Sequence, residues 1–75
     1  MSTTVTDMVT LPSLQRVRLL RAYSQRDLAK AAGLSPRTIV SAEQGSSMSL
    51  RTLRKLAQVL NVEPSELTAE PESSD

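Results

Sequence analysis

Between Tyr23 and Leu53 the chain repeats one helix-starting device three times. An apolar residue precedes a serine, and a second apolar residue follows four places after it. The pairs are Tyr23 with Leu28, Leu34 with Ile39, and Met48 with Leu53; the serines are Ser24, Ser35 and Ser49. A serine at the N-cap accepts a hydrogen bond from a backbone N–H that the first turn leaves unpaired. The flanking apolar pair staples the incoming chain to the helix. Each cap stabilises its helix by about 1 kcal/mol. A single domain of this length holds only roughly 4–11 kcal/mol in all, so three caps go far toward deciding which segments are helical. Gly33, Gly45 and Asn61 stand where those segments should stop, because each can take the left-handed conformation that closes a helix.

This punctuation predicts five short helices. The first is LPSLQRVRLLRAY, Leu11 to Tyr23, with Pro12 in its first turn. Leu14, Val17 and Arg18 share one face there, and Leu20 or Arg21 continues it. The second is SQRDLAKAAG, with Asp27 three places after its serine as in a capping box. The third lies in SPRTIVSAEQG. Thr38, Ile39 and Val40 are β-branched in a row, which alone would suggest a strand. The serine cap, Pro36 at the first helical position and the Leu34–Ile39 staple hold the segment helical instead. The fourth is SLRTLRKLAQVLN, whose buried stripe is Leu50, Leu53, Leu56, Ala57 and Leu60. A last turn, EPSEL, starts at Pro64 and brings Leu67 to the core. No strand pair is evident. The fold expected is all-α: a compact bundle of five short helices over residues 11–67, with a flexible arm before it (1–10) and a disordered acidic tail after it (68–75).

Composition narrows the function. The chain has no Cys and no His, so it lacks thiolate metal ligands, disulfides and the commonest general base. No residues are paired as nucleophile and base or as a metal site; the expectation is a non-enzyme with no catalytic residues, no metal and no cofactor. Tyr23 is the only aromatic residue, so the core must be aliphatic. No apolar run approaches the ~18–20 residues of a membrane span, and MSTTVTDMVT has no secretory signature, which makes the cytoplasm the expected location. Net charge is +1, but all nine cations lie between Arg16 and Lys55. Leu11 to Leu67 holds four anions, Asp27, Glu43, Glu63 and Glu66, against those nine. That surplus of five suits a polyanionic partner.

Gln25 to Gln44, QRDLAKAAGLSPRTIVSAEQ, forms a twenty-residue unit. Its fifth residue, Ala29, must be small because the next helix crosses close above it. Its ninth, Gly33, permits the positive φ of the turn. Its fifteenth, Ile39, fills the space between the two helices. This is the pattern of a helix-turn-helix, whose second helix lies in the DNA major groove. From about Leu14 to Leu67 the chain resembles the phage-repressor type (Xre/Cro) helix-turn-helix domain. The resemblance rests on LQRVR, SQRDLAKAAGLSPRTI, AEQG and SLRTLRKLAQVLNVEPSEL. It implies a lambda-repressor-like bundle and a sequence-specific transcription regulator that binds operator DNA as a dimer. It also implies that Gln25 reaches a phosphate, that Pro36, Arg37 and Ser41 meet bases, and that Arg18 pairs with Glu43 to tie the first helix to the third. Pro36 departs from the polar residue common at its position; it has no donor and offers only shape.

On the third helix, Ser35, Pro36, Arg37, Val40, Ser41 and Gln44 form the outward side, with Ile39 and Ala42 inward. Arg37 can make a bidentate contact to guanine, and Val40 can touch a thymine methyl. The candidate base contacts are therefore Pro36, Arg37, Val40, Ser41 and Gln44. The candidate phosphate contacts are Gln25, Arg26, Ser35, Thr38 and Arg51, with Lys30 and Arg54 as further cations. One recognition helix reads few base pairs, so a homodimer on double-stranded DNA is expected, with half-sites about 34 Å apart. Leu60, Val62, Pro64 and Leu67 are the expected dimer or partner surface. The alternative function is an antitoxin or adaptor module whose main partner is a protein.

Overall fold

The computed structural model describes residues 8–70. In chain order they form β1 (Met8–Val9), α1 (Leu14–Leu20), α2 (Gln25–Ala32), α3 (Pro36–Glu43), β2 (Met48–Ser49), α4 (Leu50–Leu60) and α5 (Pro64–Thr68). The five expected helices are present. The three serines cap as expected: Ser24 Oγ accepts from the Asp27 N–H at 2.9 Å, Ser35 Oγ from Thr38 at 3.3 Å and Ser49 Oγ from Thr52 at 3.2 Å. Gly33, at φ 71°, and Asn61, at φ 59°, close α2 and α4 in the left-handed conformation. At α5 the Glu66 carboxylate accepts from the Glu63 N–H at 3.4 Å, one half of a capping box.

One element departs from the all-helical expectation. β1 and β2 form an antiparallel ribbon, with Met8 opposite Ser49 and Val9 opposite Met48. Two-residue strands carry no alternating pattern, so sequence periodicity cannot reveal them. The chain entering α1 passes alongside the start of α4, and Val9 and Met48 both pack on the core. Residues 8–10 of the expected arm therefore belong to the folded unit, and so does the start of the expected disordered tail, where Thr68 ends α5 and the Ala69 carbonyl accepts from Ser13. Residues 1–7 of that arm and 71–75 of the tail lie outside the described residues.

The core is aliphatic, as a chain with one aromatic residue requires. Leu11, Leu14, Leu28, Ile39, Leu56, Leu60 and Leu67 are each at most 1% exposed, and they join five elements and the segment before α1. α2 packs on α3 and α4, and α4 packs on α5 and the ribbon. Ala29 is buried where α2 faces α3, which fits the need for a small side chain there.

α1 is shorter than its sequence suggests. Pro12 lies in a turn before it, and Ser13 at the N-cap makes no capping bond. The buried Ser13 hydroxyl instead donates to the Ala69 carbonyl at 2.6 Å, and its N–H donates to the Leu67 carbonyl at 3.2 Å. The start of α1 is thereby sewn to the end of α5. Leu14, Val17 and Arg18 are buried together as expected. Leu20 and Arg21 do not continue that face; both are exposed, Leu20 because it lies off the buried face and Arg21 because the helix has ended before it. Ala22 then takes φ 63° to turn the chain into α2.

A left-handed alanine is strained by about 1–2 kcal/mol, whereas glycine there gives back about 0.5–1 kcal/mol through the unfolded chain. Ala22→Gly is therefore expected to stabilise the domain by about 0.5–1 kcal/mol. A urea titration would read this as a higher midpoint, and a lower one would show that Ala22 is not strained.

Candidate nucleic-acid interface

α3 is built to present one side chain set outward from a rigid seat. Ser35 caps it, Pro36 occupies its first position, and Ile39 and Ala42 anchor it in the core. Of the outward set, Ser35, Pro36, Arg37 and Gln44 are exposed, and Val40 and Ser41 are half-exposed. Gln44 is not within the helix but caps its C-terminus. Arg37 has no ion-pair partner among the described residues, so its five guanidinium donors are unspent on the protein's charges. Thr38 is half-exposed, and its hydroxyl shares a 3.1 Å bond with that of Ser35. Two hydroxyls sharing one bond keep one proton for an outside acceptor.

Beside α3, the exposed side of α2 adds charge, with Arg26 in its first turn and Lys30 in its last. Arg26, Lys30 and Pro36 line one shallow groove together with Asp27, Ala29 and Leu34. Arg51 and Arg54 line another with Ser49 and Leu50, at the N-terminus of α4. Arg26, Lys30, Arg51 and Arg54 are all exposed.

The sequence holds a signal here that the cap-by-cap reading passes over. Each capping serine is followed two places later by an arginine: Ser24 by Arg26, Ser35 by Arg37 and Ser49 by Arg51. A cation in the first turn opposes the helix dipole and is disfavoured by about 0.3–1 kcal/mol. In α2 Asp27 offsets the cation within the same turn, whereas α3 and α4 hold no acid in their first turns, so a bound anion would relieve those two.

Behind the outward face lies a polar cluster. Arg18 Nε and Nη2 donate to the two carboxylate oxygens of Glu43, at 2.5 and 3.3 Å. The pair is almost fully enclosed, with side chains 7% and 6% exposed. The implied Arg18–Glu43 tie is therefore present. It reaches further than expected, because Arg18 Nη1 also donates to the Tyr23 carbonyl at 2.8 Å and Gln25 Nε2 donates to Glu43 at 2.9 Å. Gln25 is half-exposed, with its amide nitrogen already engaged inside the protein. Among the described residues no buried side-chain nitrogen or oxygen lacks a partner.

The expected dimer surface needs correction. Leu60 and Leu67 are 1% and 0% exposed; they complete the core where α4 and α5 meet, so neither can form an interface. Val62 is half-buried against the core and Pro64 is exposed. Among large apolar side chains, Leu19 and Leu20 of α1 are 59% and 71% exposed. Both lie off the face that Leu14, Val17 and Arg18 share, so the helical spacing itself turns them outward. Among the described residues no group of acidic, Cys or His side chains could hold a metal ion, and no helix is long and apolar enough to cross a membrane.

The helix-turn-helix family model matches residues 14–67. No curated protein sequence matches the chain. Among solved structures, the chain is similar to the restriction-modification controller protein C.AhdI from Aeromonas hydrophila. The two share 36% identity over 72% of this chain and 83% of that one, with a TM-score of 0.69. With α2 and α3 joined at Gly33 and α3 pinned with its polar side outward, these likenesses converge: the chain belongs to the Xre-like helix-turn-helix family, whose members are DNA-binding transcription regulators and not enzymes.

Proposed function

We propose that the protein is a repressor that binds an inverted-repeat operator as a homodimer, each copy laying α3 in the major groove. The observation that carries this reading is the isolated Arg37 on the exposed side of a helix fixed by a serine cap, a proline and two core residues. Pro36, Val40, Ser41 and Gln44 add shape and weaker contacts to the same groove. Gln25, Arg26, Ser35, Thr38 and Arg51 hold the flanking phosphates, which set register rather than sequence. Val62 and Pro64 are the part of the expected dimer surface that remains available. The likeness to a restriction-modification controller makes the promoter of such a gene set the first natural DNA to test.

Selection of bound duplexes from a random library at near-physiological salt tests this directly. The expected product is an inverted repeat with half-site centres about 34 Å apart. With five to six phosphates neutralised per dimer, the log–log dependence of affinity on salt should have a slope of about −5. Bound DNA with no enriched sequence would overturn sequence-specific regulation. A second reading, a module whose main partner is a protein, is favoured by the exposure of Leu19 and Leu20 beside Arg16. Folded protein that binds no duplex would establish that reading over the first.

A further inference from the structure

The Gln25 carboxamide has an unusual setting for a side chain at the first position of a helix. Its nitrogen donates to Glu43 Oε1 at 2.9 Å. Glu43 is itself held through both carboxylate oxygens by Arg18. A carboxylate only accepts hydrogen bonds, so the amide must turn its NH2 group inward; the flipped amide would set oxygen against oxygen. Glu43 cannot swing away, because its side chain is enclosed with that of Arg18. One hydrogen of the amide is thus spent on Glu43. The second leaves the same nitrogen at about 120°, from a residue that is half-exposed.

We propose that Glu43 is a positioning residue for DNA binding: it holds the Gln25 carboxamide so that one amide hydrogen is used inside the protein and the other is presented to a phosphate. The inference rests on the DNA-binding reading above and names a part of its machinery. A glutamine free in solution is among the costlier side chains to order; one already ordered by Glu43 reaches the phosphate without that loss. The arrangement also couples two tasks. Gln25 opens α2 and Glu43 closes α3, so a phosphate gripped by Gln25 is fixed relative to the far end of the helix proposed to read bases. The Arg18 bond to the Tyr23 carbonyl extends the same cluster into the turn before α2.

The test uses the duplex that the wild-type protein recovers from the random library, and it measures affinity at several salt concentrations. Gln25→Ala should weaken binding about tenfold, as expected for a lost hydrogen bond to a charged oxygen. It should leave the salt slope unchanged, because a neutral amide displaces no counterion. The decisive background is Arg18→Met with Glu43→Met, an apolar replacement of the kind that buried pairs often tolerate. On that background Gln25→Ala should cost less than about twofold, since the anchor is gone. An equal cost on both backgrounds would overturn the proposal, because Gln25 would then act without Glu43.

Gln25→Asn needs no change to the buried pair. One methylene shorter, it cannot span both partners and should lose as much as alanine. Wild-type affinity for Gln25→Asn would also overturn the inference. Wild-type protein that binds no duplex would overturn the DNA reading itself and this inference with it. Tight wild-type binding untouched by Gln25→Ala would overturn this inference alone.

Discussion

Glu43→Ala and Arg18→Ala are each expected to cost about 3–5 kcal/mol of folding stability. Each leaves the opposite charge buried without its partner, in a cluster whose side chains are 7% and 6% exposed. The loss does not stop at the pair. Without Arg18, the Tyr23 carbonyl loses a donor; without Glu43, Gln25 loses its acceptor. A domain of this length holds roughly 4–11 kcal/mol, so either variant sits near the edge of folding. A drop of roughly 12–40 °C in the thermal midpoint follows, from about 4–8 °C per kcal/mol at this size. Circular dichroism melting would measure it. The paired replacement by methionine should melt far closer to the wild type, because it removes both charges together. A Glu43→Ala protein melting within a few degrees of wild type would show that the pair contributes little to holding α1 against α3.

The contrast between those variants separates what local chemistry reveals from what only the tertiary fold supplies. The serine caps, the turn at Gly33 and the left-handed Asn61 were legible because each is decided within four or five residues. The buried stripe of α4 is legible because its spacing is helical; Leu53, Leu56, Ala57 and Leu60 are all buried, while Leu50, the first residue of the helix, is only half-buried against the core. The same stripe also explains the misplaced interface. Leu60 ends it and Leu67 opens the next contact with the core, and an apolar residue at the end of a stripe looks alike whether a partner or the protein itself covers it. The Met8–Val9 pairing with Met48–Ser49 spans some forty positions and rests on two residues a side, too few for any period. Ser13 bonds to Ala69 across 56 positions, and no residue near Ser13 announces it. The early stop of α1 is set by an alanine in a left-handed conformation, a choice that sequence propensity argues against. In the site, the outward set on α3 was readable from the helical wheel, whereas the link from Gln25 to Glu43 needed α2 and α3 to be crossed and packed.

Arg37→Ala is expected to remove most of the protein's ability to tell its operator from other DNA. The argument begins with geometry. Arg37 is the second residue of α3, exposed, and has no ion-pair partner among the described residues. Around it, Pro36 has no donor and Val40 can offer only apolar contact, so few other groups on this face can distinguish one base edge from another. A bidentate arginine–guanine contact discriminates by about 1–3 kcal/mol. Two symmetric copies make that about 2–6 kcal/mol, or roughly 30-fold to 10⁴-fold in the ratio of operator to scrambled duplex. Measured at one salt concentration, Arg37→Ala should bind both duplexes with nearly equal affinity. Arg37→Lys sharpens the test, because it keeps the charge and loses the planar fork. It should retain the affinity of the wild type for scrambled DNA while losing most of the discrimination. If Arg37 instead grips a phosphate, both duplexes will weaken together, the ratio will hold, and lysine will restore most of the binding; the reading of bases would then have to pass to Ser41 and Gln44.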